Sequence, residues 1–86
     1  MRLDKYLKVS RLIKRRTVAK EVCDAGRIQV NGRVAKAGTN VEVGDKLTVS
    51  YGGRVTEAEI LLTAETIRAD QSSTMYRLLS ENRLPE

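Results

Sequence analysis

The sequence contains no histidine, tryptophan or phenylalanine, and in 86 residues it has one cysteine, Cys23, and one proline, Pro85. A zinc site needs about four ligands, so one thiol without histidine predicts no metal site. A single cysteine also cannot form an intramolecular disulfide, which fits a reducing compartment. No run approaches the roughly 20 apolar residues of a membrane span, and charges recur where a signal peptide would be apolar. We expect a small, soluble, cytoplasmic protein without cofactor or membrane segment.

Residues for catalysis are also scarce. Cys23 has no histidine to activate it and lies on the apolar side of a predicted helix, which favours a small buried side chain over a nucleophile. Glu57 and Glu59 share one face of a predicted strand, with nothing else convergent near them in sequence. A solvated strand face explains them better than a catalytic pair. Gly52 and Gly53 form a predicted hairpin turn rather than a phosphate-binding loop, so the sequence predicts a protein that is not an enzyme.

Charge is distributed unevenly along the chain. Residues 1–36 hold eleven of the sixteen basic side chains against three acids, a local charge of +8, whereas residues 37–86 hold five basic and eight acidic side chains, a charge of −3. Most charged runs are solvated faces, but basic residues barely offset by acids repel one another and destabilise the folded state. A polyanionic partner would explain such a surface. Nucleic acid is therefore favoured, and another acidic partner is the alternative.

Hydrophobic periodicity predicts two helices at the start of the chain. Leu3, Tyr6 and Leu7 recur at helical spacing and predict a first helix of about two turns. A second helix is predicted over residues 15–25 and ends at Gly26, a residue that enters the left-handed conformation without a Cβ penalty. Its first turn carries basic residues and no Ser or Asp cap, at a cost of up to about 1 kcal/mol per charge. Such a helix start indicates that the charges serve another purpose.

From residue 28 the apolar period becomes two, which predicts a small, twisted, mostly antiparallel sheet of four or five short strands. Asn31-Gly32 is a strong signal for a type I′ hairpin turn. Further strands are predicted over residues 46–51, with Leu47, Val49 and Tyr51 on one inward face, and over residues 55–62. A short C-terminal helix follows, with Met75, Tyr76, Leu78 and Leu79 on one face and Pro85 at its end. The predicted fold is one α+β domain of two N-terminal helices packed on this sheet.

The basic side chains of the two helices and the turn between them form the predicted binding surface. Exposed aromatic rings for stacking on bases are few, because Tyr6 and Tyr51 both lie on predicted core faces. This favours a folded RNA, recognised by shape and phosphate. Asp4 is the only acid in the first twenty residues. It either interacts with the helix dipole or orients Arg2 or Arg16 toward a phosphate, and the sequence leaves both interpretations open.

Four segments, in order, resemble the S-four, or S4, RNA-binding domain: Arg2-Leu3-Asp4-Lys5-Tyr6-Leu7, Arg15-Arg16-Thr17-Val18-Ala19, Gly26-Arg27-Ile28-Gln29-Val30-Asn31-Gly32 and Val43-Gly44-Asp45-Lys46-Leu47. The resemblance covers about residues 2–50 and implies the S-four (alpha-L) fold, with an RNA-binding domain over residues 1–65 and a C-terminal extension with a short helix over residues 66–86. Among stand-alone members the chain resembles the RqcP type of bacterial quality-control factor and, over its first half, heat-shock protein fifteen.

The resemblance implies a role on large ribosomal subunits obstructed by a nascent chain. The expected partners are ribosomal RNA, peptidyl-tRNA and a tailing factor that recruits alanyl-tRNA, so that alanine tails are added to the stalled chain; we expect a monomer. The alternatives are recycling of such subunits after heat shock, or an RNA-binding subunit of an RNA-modifying enzyme. Carried over by position, Arg2, Asp4, Lys14, Arg15 and Arg16 face the RNA. The full predicted set of RNA-binding residues is Arg2, Asp4, Lys5, Lys8, Arg11, Lys14, Arg15, Arg16, Lys20, Arg27, Asn31 and Lys36.

Overall fold

A computed structural model describes residues 1–64 and 68–83 of the chain. Within these residues two α-helices precede a five-stranded antiparallel sheet with the strand order β2-β1-β3-β4-β5. In chain order the elements are α1 (Leu3–Val9), α2 (Arg16–Asp24), β1 (Ile28–Val30), β2 (Arg33–Val34), β3 (Lys46–Tyr51), β4 (Arg54–Ile60), a 3-10 helix (Ala69–Met75) and β5 (Tyr76–Arg83). The predicted α+β fold class is confirmed.

The helix α1 begins without a side-chain cap, and its first amides are satisfied from elsewhere in the chain. The N–H of Leu3 donates to the Thr39 carbonyl at 2.8 Å, and the N–H of Asp4 donates to the Ala37 carbonyl at 3.1 Å. The first N–H groups of a helix have no partner within it, so these carbonyls do the work of a cap. They also fix the loop of residues 36–40 against the start of α1.

The helix α2 begins as predicted, with basic residues and no cap. Arg15 is the N-cap residue, makes no side-chain cap hydrogen bond, and is followed by a first turn without acids. The helix ends at Asp24, and Gly26 follows with φ of 75°. An L-residue with a side chain is strained at that angle, so glycine suits this position.

The predicted hairpin turn at Asn31-Gly32 is confirmed. These two residues have φ of 52° and 83°, and they join Val30 to its partner Arg33 across the two strands. Two positive φ angles in a two-residue loop define the type I′ turn. The Asn31 side chain also accepts a hydrogen bond from the N–H of Lys46 at 3.0 Å, so the hairpin is fixed to the start of β3.

The hydrophobic core lies between the two helices and the inner face of the sheet. The tyrosine of α1 is fully buried, and the hydroxyl of Tyr6 donates to the carbonyl of Met75 at 2.7 Å. Cys23 is 1% exposed, which confirms the prediction of a small buried side chain. The main buried side chains are Leu3, Tyr6, Leu7, Ile13, Ala19, Val22, Cys23, Ile28, Val41, Leu47, Val49, Ile60 and Met75.

The predicted C-terminal helix is wrong from Tyr76 onward. Residues 69–75 form a 3-10 helix, and residues 76–83 form β5, which pairs along the length of β4. The register between these strands shifts at Glu57/Ala58, where Leu78 pairs with Ala58 and Leu79 is the additional residue of a β-bulge. A bulge interrupts the alternation of a strand, so its apolar residues imitate helical spacing. Pro85 and the predicted domain boundary after residue 65 lie outside the described residues.

Tyr51 also departs from prediction. It shares the inward face of β3 with Leu47 and Val49, which are 1% and 5% exposed, but its own side chain is 44% exposed. The half-buried Leu12 lies beside Tyr51 but leaves its ring partly uncovered.

Candidate nucleic-acid interface

Asp4 holds two arginines at the surface where α1 meets α2. Its Oδ1 accepts from Arg2 Nε at 3.2 Å, and its Oδ2 accepts from Arg2 Nη2 at 3.3 Å and from Arg16 Nε at 3.4 Å. The carboxylate is 4% exposed, whereas the side chains of Arg2 and Arg16 are 55% and 48% exposed. We call these three residues the arginine corner. Both interactions that the sequence leaves open for Asp4 are present: it lies in the first turn of α1, where it accepts from the N–H of Lys5, and it pairs with Arg2 and Arg16. That these arginines are oriented toward a phosphate stays a prediction.

The charge of Asp4 is stabilised by its surroundings. Burial alone would raise the pKa of this carboxyl, but the backbone N–H of Lys5, at 2.8 Å from Oδ1, and the charge of Arg16 lower the pKa below its ordinary value. A buried carboxylate is tolerated only when it is paired and hydrogen-bonded, as this one is. Asp4 is therefore ionised at neutral pH and holds the guanidinium groups of Arg2 and Arg16 at the surface.

The arginines keep donors for an incoming anion. A guanidinium has five N–H donors, of which Arg2 uses two on Asp4 and Arg16 uses one. The remaining donors can bind a phosphate in the forked geometry that this group favours. A carboxylate that holds two guanidiniums side by side reduces their motion before a ligand arrives, and it lowers their mutual repulsion.

The loop of residues 36–40 lies beside the arginine corner. Its turn is closed by the Thr39 N–H donating to the Lys36 carbonyl at 3.0 Å, and by the Lys36 N–H donating to Thr39 Oγ1 at 3.0 Å. A Cβ built on Gly38 would lie 3.8 Å from Arg2 Nη2, so the guanidinium rests against this loop. The exposed Lys36 is thereby placed near the start of α1, as the predicted binding surface requires.

A groove lies on the other side of the α2 start. It has a volume of about 480 Å³ and is lined by Arg11, Leu12, Lys14, Arg15, Val18 and Tyr51. Three of the predicted RNA-binding residues therefore share one cavity, and all three are exposed. We call this cavity the basic groove. Within the described chain, no acidic side chain pairs with Arg11, Lys14 or Arg15.

The other predicted RNA-binding residues are spread more widely. Lys5 and Lys8 lie on α1, the first half-buried and the second exposed, and Lys20 is exposed on α2 one turn after Arg16. Arg27 is exposed at the start of β1, where its carbonyl accepts from the N–H of Ser50 at 3.0 Å. These four positions stay predictions.

Asn31 is separated from the basic groove. It lies at the Lys46 end of β3, whereas Tyr51 lies at the other end of the same strand. Its side-chain amide donates to Asp45 Oδ1 at 3.1 Å and its carbonyl oxygen accepts from Lys46. The Asn31 side chain therefore shapes the hairpin, and a contact of this residue with RNA stays a prediction.

The acids and the thiol show no arrangement for catalysis in the described chain. Glu57 accepts from Ser80 Oγ at 3.1 Å and Glu59 pairs with Arg77, both across the β4–β5 pair. Burial, followed by the charges of Asp4 and Asp24, raises the pKa of the Cys23 thiol to about 11, so it is protonated and a poor nucleophile. Among residues 1–64 and 68–83, no three His, Cys, Asp or Glu side chains are grouped so that they could hold a metal ion.

Two residues of this surface were missed by sequence reasoning. Strand alternation predicts Tyr51 in the core, and no pattern in the sequence indicates Arg54, its partner in the β3–β4 register. No local pattern in the sequence signals this exposure, because it depends on how the helices and the sheet pack together. None of the helices in the described ranges is long and apolar enough to cross a membrane.

Two helices with a basic outer face, packed on a small antiparallel sheet, define a nucleic-acid-binding module. The model of the S4 domain family matches residues 1–47, more than half of the chain. The trimeric structure of heat shock protein 15 from Vibrio cholerae superimposes with a TM-score of 0.86 at 30% identity, covering 93% of this chain and 82% of that one. The chain therefore belongs to the S4 domain family.

Curated relatives define the group within this family. The RQC P-site tRNA stabilizing factor of Halalkalibacterium halodurans is 58% identical over 94% of this chain and 92% of its own length. The protein of the same name from Bacillus subtilis is 50% identical over the full length of both chains. The chain is thus similar to proteins of this name over nearly the whole length of each.

Proposed function

We propose that this protein is a non-catalytic RNA-binding factor of ribosome-associated quality control. It binds large ribosomal subunits obstructed by a nascent chain, through ribosomal RNA and peptidyl-tRNA, and supports the addition of C-terminal alanine tails by a factor that recruits alanyl-tRNA. The observation that carries the proposal is the arginine corner, in which one buried carboxylate orients two exposed guanidiniums.

The corner suits the backbone of a folded RNA. Phosphates are bound by guanidiniums through paired hydrogen bonds, and a rigid, folded RNA presents them at fixed positions. A surface meant only for solubility would not need a buried acid to fix its arginines, since desolvating that acid costs free energy. The basic groove continues the positive surface beyond the start of α2. The names of the two relatives support a site on ribosome-bound tRNA.

The test is co-sedimentation of the tagged protein with large ribosomal subunits from cells in which translation stalls. We expect Arg16→Glu to abolish binding, because it reverses one charge of the corner and places a second carboxylate beside Asp4. The domain should stay folded, because the Arg16 side chain is half-exposed and its ion pair with Asp4 contributes only about 1 kcal/mol. Thermal unfolding of the purified variant checks this.

The matched control is Lys46→Glu. This variant also reverses the charge of a basic side chain, but one exposed at the far end of β3 from Tyr51. It should bind large subunits as the unmodified protein does. Binding by Arg16→Glu at moderate salt would refute the assignment of this surface. An equal loss of large-subunit binding in both variants would show that binding depends on net charge and not on the arginine corner.

The material that co-purifies distinguishes the alternatives. Large subunits carrying alanine-tailed peptides support quality-control tailing, large subunits without tails support heat-shock recycling, and an RNA-modifying enzyme supports the third alternative. Electron microscopy of the purified particles would identify the RNA contacted. The proposal takes the protein as a monomer, whereas the Vibrio cholerae relative was solved as a trimer, so light scattering of the free protein is part of the test.

A further inference from the structure

Tyr51 presents an aromatic ring at the edge of the basic surface. Its side chain is 44% exposed at the end of β3, beyond the cover of the helices. A single exposed aromatic residue is common in folded proteins and indicates nothing by itself. Its surroundings are what distinguish it, because the ring lines two adjoining cavities, the basic groove and a smaller one of about 250 Å³.

The two sides of the ring differ in charge. On the groove side lie Arg11, Lys14 and Arg15, together with the apolar side chains of Leu12 and Val18. The smaller cavity contains one cation, which is neutralised by Arg54 Nη1 donating to Glu81 Oε1 at 3.3 Å. An anionic group beside Tyr51 is therefore attracted to the groove side, and a flat apolar group can lie against the ring.

Arg11 reaches the groove from an unfavourable backbone conformation. It follows the C-cap residue Ser10 of α1 and has φ of 63°, in the left-handed region. Glycine is the usual residue at this point of a helix end, because a residue with a Cβ is strained in the left-handed conformation. The chain thus carries a large cationic side chain where a glycine would be more stable, and that side chain lines the cavity beside Tyr51.

We propose that Tyr51 and the basic groove bind one unpaired nucleotide of the RNA, with its base stacked on the Tyr51 ring and its phosphates held by Arg11, Lys14 and Arg15. The inference rests on the proposed RNA-binding function and extends it to a second subsite. A paired duplex offers phosphates but no free base face, so it would use the cations and leave the ring unused. An acidic peptide would use the cations in the same way.

The test measures affinity for a short labelled oligoadenylate by fluorescence anisotropy. Tyr51→Ala should weaken binding about 5- to 150-fold, which at tenfold per 1.4 kcal/mol is the contribution of one base–aromatic stack. Tyr51→Phe keeps the ring and should bind within about twofold of the unmodified protein. Because Tyr51→Ala removes no charge, the salt dependence of binding should keep its slope, whereas Arg15→Ala should lower that slope by roughly 0.7.

The controls are a fully paired RNA duplex and an oligoglutamate of similar charge. Tyr51→Ala should leave binding of both unchanged. Equal weakening with all three probes, or oligoadenylate binding that Tyr51→Ala leaves unchanged, would overturn the nucleotide site. Large-subunit binding by Arg16→Glu tests the proposed function in a separate assay. The role of the arginine corner can therefore be refuted without refuting the nucleotide site in the basic groove, and the reverse. Circular dichroism confirms that each variant is folded.

Discussion

The substitution Asp4→Asn distinguishes between two explanations of the positive surface, because they predict opposite signs. It removes one negative charge, so a surface that binds RNA by net charge alone should bind more tightly. At about 5 Å in water one unit charge contributes roughly 0.8 kcal/mol before screening, a gain of about fourfold. If Asp4 instead orients Arg2 and Arg16, the loss of that orientation opposes the gain.

The binding free energy lost by releasing the two arginines is larger than that gained by removing one negative charge. Immobilising a flexible side chain on binding costs about 0.5–1.5 kcal/mol, so two released guanidiniums cost about 1–3 kcal/mol. We therefore expect Asp4→Asn to bind large ribosomal subunits roughly 1.4- to 40-fold more weakly after the charge gain is subtracted. The variant should stay folded. Both arginines are about half-exposed and their hydrogen bonds to Asp4 are long, so each pair stabilises by about 0.2–1 kcal/mol.

The matched control is Asp24→Asn. This exposed acid at the end of α2 also belongs to the basic half of the chain, but it makes no ion pair within the described residues. Asp24→Asn should bind slightly more tightly, and the two variants are compared by titration with large subunits at one salt concentration. Tighter or unchanged binding by Asp4→Asn would refute the positioning role. Stability at acid pH is a further readout. In the unfolded chain Asp4 is protonated near pH 3.8, so the native protein loses stability as the pH falls below that value toward the lowered pKa of Asp4 in the folded state. Asp4→Asn should lack this loss.

Two further predictions concern single side chains. Arg11→Gly should raise the free energy of unfolding by up to about 1 kcal/mol, because glycine relieves the left-handed backbone, and should weaken RNA binding several-fold. Urea unfolding measures the stability, and fluorescence anisotropy measures the binding. An equal gain in stability in Arg11→Ala would contradict the backbone argument. Cys23→Ala should leave RNA binding unchanged and cost about 1 kcal/mol or less. Since the Cys23 thiol has a pKa near 9.0 in the unfolded chain and about 11 in the folded one, the native protein should lose stability between those pH values. The same loss of stability in Cys23→Ala would show that Cys23 is not its source.

Features set by neighbouring residues were predicted well from the sequence. The hairpin at Asn31-Gly32 and the uncapped start of α2 depend on local backbone preferences, and both are confirmed. Both arginines named as partners of Asp4 do contact it, because a lone acid among many bases has few alternatives. These predictions needed no knowledge of distant parts of the chain.

Features that depend on distant pairing were missed. The strand β5 was predicted as a helix because its bulge at Leu79 spaces the apolar residues like a helix, and only pairing with β4 shows otherwise. The exposure of Tyr51 depends on where the helices end above the sheet, which no local pattern records. The caps of α1 are likewise the carbonyls of Ala37 and Thr39, more than thirty residues along the chain.

The hydrogen bond between Tyr6 and Met75 has a consequence for how the protein folds. It joins residues 69 positions apart. Bringing the ends of such a segment together costs conformational entropy, which is offset only by contacts that form after the ends have met. The hairpins of the sheet can form early because their partners are neighbours in sequence. We therefore expect Tyr6, and with it α1, to reach its final position only after residues 69–75 have packed beside it.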